Sequence, residues 1–142
     1  MITYQSEIDF ELENQSEVTE WIKYIIEEES LELGDLTYVF CSDAYLYDLN
    51  VEFLQHDTLT DIISFDYRVG DLVNGEIYIS IDRVKENAMD FGVSFVDELH
   101  RVIIHGVLHI CGYDDLTDAE EKAMRTKEDW ALSLRDFLKD NL

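Results

Sequence analysis

Two of the four histidines in this 142-residue chain stand four positions apart in the stretch HGVLHICGYDD, residues 105–115. On a helix, His105 and His109 lie about 40° apart in azimuth and about 6 Å apart in rise, so both imidazoles project to one side. Two ring nitrogens so placed can reach one ion at about 2.0–2.1 Å. Gly106 keeps the inner turn slim, which lets a substrate or another segment approach. Gly112 can adopt φ > 0 and end the helix. The chain can then swing back and present Asp115 from outside the helix as a third ligand. Two nitrogens and a carboxylate leave a fourth tetrahedral position open, the arrangement of a catalytic rather than a structural zinc site. One Zn2+ per chain, held by His105, His109 and Asp115, is the expectation.

A bare HxxxH pair has a competing reading: two buried histidines satisfied by hydrogen bonds, with glycine as an ordinary helix end. Gly112 and the carboxylate six residues beyond His109 favour the metal. Cys111 lies about 200° round the helix from His109 and reads as core. His100, five residues before His105, falls on a different face and is not expected to ligate. Tyr113 and Asp114 read equally well as supports of the ligands or as surface residues. His56, in the loop QHDTLTD, is either a solvated loop residue or an active-site base. In the second role it joins His105, His109 and Asp115 as a candidate catalytic residue. The spacing is also that of a metalloprotease zinc helix, where the position after the first histidine carries a glutamate general base. Gly106 stands there instead, which argues against peptidase chemistry.

The elements that must position these residues are legible from capping and periodicity. Residues 2–12 are strand-like. Asn14, with Glu17 three positions on, is expected to cap a helix whose stripe is Val18, Trp21, Ile22, Ile25 and Ile26. LTYVFC, residues 36–41, is a β-rich run, and Ser42 can cap a helix with Leu46, Leu49 and Phe53 inward. IISFDYR follows, and the turn VGDLVNG joins it to EIYISI, whose Ile77, Ile79 and Ile81 alternate. Asp82 is placed to cap a helix through Met89 that ends near Gly92. Ser94 with Asp97 opens the helix that carries both histidines to Gly112. Its middle is apolar nearly all round, so it should be the central buried helix. Thr117 with Glu120 caps the last helical region, with Met124, Trp130, Leu134, Phe137 and Leu138 inward. The order β-α-β-α-β-β-α-α-α predicts a single α+β domain over residues 1–142, a small mixed β-sheet of about four strands packed with five or so helices.

Composition sets the outer limits. Hydrophobic residues make up 46% of the chain, enough for a core and too many for disorder. No apolar run reaches the roughly 18 residues of a membrane span, and no signal-peptide pattern opens the chain. Cys41 and Cys111 form no paired framework, so a reducing, cytoplasmic setting is expected. Ten Lys and Arg oppose 33 Asp and Glu, a net charge of -23. That surface repels phosphate backbones at long range, although a local cation can reverse the field inside one cleft.

The signature HGVLHICGYDD resembles that of the YbeY-type endoribonucleases, the rRNA maturation factors, whose form is HGxLHLxGYDH. The family's LN…TDVLSF segment is matched here by Leu49-Asn50 and by Thr60 to Phe65, and its GDI strand with the following helix by GEIYISIDRVKENA. ELHRVIIHG, leading into the signature, is similar too. Together these cover most of residues 36–116. The resemblance implies a zinc-dependent, single-strand-specific endoribonuclease that matures the 3′ end of small-subunit rRNA and serves ribosome quality control. It also implies RNA on the small ribosomal subunit as partner, with a ribosomal protein or assembly GTPase delivering it. Two positions depart from the family pattern. Asp115 stands where the family usually has histidine, and Leu54 where it usually has arginine. A phosphate-binding role would then pass to His56, Arg68, Arg83 or Arg101, the last of which is alternatively a structural residue one turn below His105. The Leu54 departure keeps open a non-catalytic assembly factor with a structural zinc. A zinc hydrolase of another substrate, such as a peptide, is the third reading, against which Gly106 stands.

Overall fold

The computed structural model describes residues 1–54 and 60–137. Its elements run β1 (Ile2–Ser6), α1 (Gln15–Glu28), β2 (Glu32–Cys41), α2 (Asp43–Leu54), β3 (Ile62–Asp66), β4 (Leu72–Ser80), α3 (Ile81–Phe91), α4 (Phe95–Cys111) and α5 (Asp118–Ser133). The predicted element order and the α+β class both hold. The four strands form one mixed sheet in the order β1-β2-β4-β3. β1 and β4 flank β2 in parallel, and β3 runs antiparallel to β4 at the edge.

The alternation in EIYISI buries Ile77 and Ile79 on one side of the sheet, and Ile81, expected to continue it, is buried as the first residue of α3 instead. α4 lies across that side, where the Tyr38 hydroxyl donates to the Ile103 carbonyl at 3.0 Å. α4 is buried nearly all round, as its apolar sequence requires. The α1 stripe Val18, Trp21, Ile22, Ile25 and Ile26 is buried as its spacing predicts. Trp21 Nε1 also donates to the Ala131 carbonyl at 2.8 Å, tying α1 to α5. α2 covers the opposite side of the sheet, with Leu46 against Cys41 and Ile63.

Several boundaries differ from the sequence expectation, each for a local reason. β1 stops at Ser6, whose hydroxyl donates to the Phe10 carbonyl at 2.6 Å across a bend. Asn14 makes no side-chain cap: its backbone is left-handed (φ 58°), and only its carbonyl serves α1, accepting from Val18 N at 2.9 Å. α3 is capped by Ser80 rather than Asp82, with the Ser80 hydroxyl accepting from Arg83 N at 3.2 Å. The Asp82 carboxylate instead accepts from Asp43 N at 3.0 Å. β4 begins at Leu72, inside the segment expected to turn, and β2 begins at Glu32. Phe53 is exposed and meets Phe65 edge-on instead of pointing inward. The caps expected from Ser42, Ser94 and Thr117 are present, the last as a reciprocal capping box with Glu120. His56 and Leu138 lie outside the described residues. Among the described residues, no helix is long and apolar enough to cross a membrane.

Candidate metal centre

The end of α4 builds the site. Gly112 adopts φ 114°, and Tyr113 N donates back to the Leu108 carbonyl at 3.0 Å, reversing the chain. Arg68 braces this turn from outside: its Nη1 donates to the carbonyl of Cys111 at 3.1 Å and to that of Ile110 at 3.4 Å. A cation there complements the negative end of the helix dipole. The reversal returns Asp115 to the two histidines. Its Oδ2 lies 3.3 Å from His105 Nε2 and 3.4 Å from His109 Nε2. Two ligands about 2.05 Å from a tetrahedral zinc lie about 3.3 Å apart, so these donors fit the corners around one ion. Among the described residues, this is the one group of three His, Cys, Asp or Glu side chains gathered closely enough to hold a metal. The three side chains are 22–35% exposed, so the site opens on one side.

His105 is held from behind. Its Nδ1 lies 2.7 Å from Glu128 Oε2. The carboxylate accepts, so Nδ1 carries the proton and Nε2 presents its lone pair toward Asp115. Glu128 is in turn fixed by Arg101, whose Nη1 donates to Oε1 at 2.8 Å, while Nη2 reaches Asp129 at 2.6 Å. Burial disfavours the charged imidazole of His105. The Glu128 hydrogen bond and charge, with Asp115 and Asp61, outweigh that and raise its pKa above the ordinary value. The same electron-rich surroundings favour a cation at Nε2.

Gly106 serves the fold rather than the substrate. A Cβ there would meet Ile62 Cδ1 and Ile77 Cγ2, each at 2.9 Å, so α4 lies directly on the sheet. A glutamate at this position would face the core and could not act as a general base. Tyr113 is a tie to the fold, donating to the Glu29 carboxylate at 3.1 Å, whereas Asp114 lines a recess beside the ligands. Cys111 is half-buried and its thiol is pushed up to about 12, chiefly by burial, which suits a packing role. His100 is buried among Trp21, Phe137 and Arg135, away from the ligands.

Two recesses meet at the site, sharing Asp61, Ile62, His105 and Asp115. One, about 330 Å³, lies between α3, α4 and α5; the other, about 460 Å³, runs along β3 and reaches Leu54. Asp61, which stands in the TDIISF segment, has its carboxyl raised by burial, an effect His105 partly offsets. Three of the cations expected to replace the arginine absent at Leu54 are engaged elsewhere. Arg68 braces the α4 turn, Arg83 pairs with Asp43 at 2.9 Å, and Arg101 holds Glu128. Arg125, not anticipated from the sequence, lines the smaller recess and forms no ion pair among the described residues. Glu128 was also missed. Its signal was a carboxylate on the inward stripe of α5, at helical spacing between the buried Met124 and Ala131.

The model of the family described as Endoribonuclease YbeY matches residues 1–134. A protein of Flavobacterium psychrophilum named Endoribonuclease YbeY is 53% identical over 134 residues, 94% of this chain and 96% of its own length. One of the same name from Bacteroides thetaiotaomicron is 44% identical over 135 residues, 94% of this chain and 98% of its own. Among solved structures, the solution structure of TM1509 from Thermotoga maritima superposes with a TM-score of 0.71 at 29% identity, covering 99% of this chain and 93% of that one. Similarity at this level extends across the sheet, the helices and the turn that returns Asp115, well beyond one short signature. The chain belongs to the YbeY endoribonuclease family.

Proposed function

We propose that this chain is a zinc-dependent endoribonuclease of the cytoplasm that cuts single-stranded RNA, with small-subunit ribosomal RNA near its 3′ end as substrate. The observation that carries the reading is the convergence of His105 Nε2 and His109 Nε2 on one Asp115 oxygen at 3.3 and 3.4 Å. The name shared by its relatives supports the reaction class. When bound, zinc supplies Lewis acidity toward a phosphodiester oxygen or a water. His105, His109 and Asp115 hold the ion, and the carboxylate leaves the centre one unit less positive than a third imidazole would. Glu128 and Arg101 keep His105 in the ligating tautomer. Arg125, at the edge of the smaller recess, is the available cation for a substrate phosphate.

A surface of net charge -23 makes a poor collector of free RNA. Delivery by a ribosomal protein or an assembly GTPase on the small subunit fits that surface, and so does a part in ribosome quality control. The test is direct. The purified protein should carry one zinc, and His109→Ala should lose it while staying folded by circular dichroism. The intact protein, and not the variant, should cut small-subunit RNA. Full zinc occupancy in His109→Ala would show that the ligands are wrongly assigned. Stoichiometric zinc with no cleavage of free or subunit-bound RNA would leave the non-catalytic assembly factor as the better reading.

A further inference from the structure

The smaller recess contains a carboxyl group that no protein donor among the described residues reaches. Glu98 is 5% exposed and lines the cavity floor on α4. Its carboxyl makes no hydrogen bond or ion pair among the described residues; Arg101 and Arg125 act on it only at a distance. Arg101 is already committed to Glu128 and Asp129. The Glu98 oxygens nevertheless keep access to the recess, for among the described residues Arg83 Nε is the one fully buried side-chain polar atom without a hydrogen-bond partner. Water or a ligand in the recess must therefore satisfy them. A ligand carrying N–H groups would supply the missing donors.

The walls indicate what kind of ligand. Asp61, Glu121 and Glu128 share the recess with Glu98, while Arg101 is taken by Glu128 and Asp129 and Arg125 is exposed at the edge, so an anion is disfavoured beside Glu98 itself. A neutral ring with donors on its edge is favoured. Phe91, exposed on α3 among the lining residues, offers a face on which such a ring can stack. Position completes the argument, since the recess shares His105 and Asp115 with the metal centre. A strand laid with its phosphate at the ligands would place one neighbouring base here.

We propose that this recess is a nucleobase subsite beside the scissile phosphate, in which the Glu98 carboxylate accepts from N1–H and the N2 amino group of guanine. The inference rests on the endoribonuclease reading above. Guanine alone among the four RNA bases presents two adjacent donors on one edge, matching the two oxygens of a carboxylate. Adenine and cytosine pair a donor with an acceptor, and uracil has one N–H between two carbonyls. Paired, charge-assisted bonds of this kind are the strong ones and set orientation as well as affinity.

The experiment uses the zinc-loaded protein and short single-stranded RNAs that differ only in the bases flanking one cleavable phosphate. Inosine, which keeps N1–H and lacks the amino group, is included. Guanine at one flank should be preferred on the order of tenfold over adenine, cytosine or uracil. Inosine should fall between. Glu98→Gln should keep its zinc and lose the guanine preference, because an amide offers one acceptor and one donor. Phe91→Ala should weaken all bases alike. The inosine comparison needs no variant, so the subsite stays testable if Glu98→Gln does not fold. Cleavage indifferent to both flanking bases, or an unchanged preference in a folded Glu98→Gln, overturns the subsite and leaves the nuclease reading standing. If no RNA is cut, that reading fails on its own, and titration with 5′-GMP, IMP and AMP decides the subsite. Tighter binding of GMP than of IMP or AMP, lost in Glu98→Gln, sustains it; equal binding overturns it.

Discussion

Glu128 joins two residues of α4 that stand 23 and 27 positions before it in sequence, hydrogen-bonding His105 Nδ1 at 2.7 Å while taking the Arg101 guanidinium at 2.8 Å. A ligand histidine so fixed holds one tautomer and one ring orientation, and partners of this kind are worth about 10–100-fold in metal affinity. Glu128→Gln preserves the shape and can still accept from Nδ1–H, but it removes the charge that favours a cation at Nε2. Zinc affinity should fall on the order of tenfold, measured by competition with a chromophoric chelator, with the fold retained. An unchanged affinity would mean that Glu128 serves α4–α5 packing alone. Arg101 is best understood at the same scale: it positions Glu128 and so acts on the ligand through another residue.

At the scale of elements, the metal centre depends on how closely α4 approaches the sheet. Gly106 allows that approach, and Ile62 and Ile77 occupy the space where a Cβ would go. Gly106→Ala sets about 1 kcal/mol of improved helix propensity against overpacking of about 1–3 kcal/mol, and should destabilise only mildly. Gly106→Val adds an isopropyl group, two methyls more than Ala, on a poorer helix former, and should lower stability by roughly 3 kcal/mol in urea unfolding. Because His105 is the adjacent residue, zinc loading should fall in parallel. A Val variant as stable as the parent would show that α4 can lift off the sheet without consequence. The other end of the helix works differently. There the Gly112 reversal and the Arg68 brace determine where Asp115 arrives, and the ligand set needs both the helix and its termination.

For the molecule as a whole, acid and salt probe separate properties. His100 sits in the core with Arg135 Nη1 donating to its Nδ1 at 2.9 Å, and Arg135 in turn pairs with Asp97. Burial first, and Arg135 second, push its pKa down from 6.5 to about 4. The folded state therefore binds a proton less readily than the unfolded chain. His100 adds no penalty above pH 6.5, and stability is lost as pH falls from 6.5 toward 4, by at most about 3 kcal/mol. His100→Gln should flatten the pH dependence of unfolding across that window; an identical profile would refute the assignment. Salt reports on the surface. With a net charge of -23, affinity for free RNA should fall little with added salt or even rise, as screening relieves repulsion. A steep loss of affinity between low and moderate salt would point instead to a concentrated basic footprint.

The sequence alone determined the parts governed by short-range periodicity. The i, i+4 histidines, the helix-ending Gly112, the returning Asp115, the element order and the α1 stripe follow from spacing and backbone preference, and all are where those rules put them. Caps were legible where a serine or threonine side chain faces the first turn, as at Ser94 and Thr117, and not at Asn14, whose left-handed backbone carries its side chain away. Only the tertiary structure decided what stands around the ligands. Glu128, Asp61, Glu98 and Arg125 come from α4, α5 and the segment before β3, and no spacing rule links them to the ligands, while Arg101, visible one turn below His105, gained its partner Glu128 only from packing. In a chain with 33 acidic residues, an individual carboxylate carries little information until packing shows which few are buried. Burial and long-range pairing depend on how α5 docks on α4, and that docking is a property of the assembled core rather than of any local stretch.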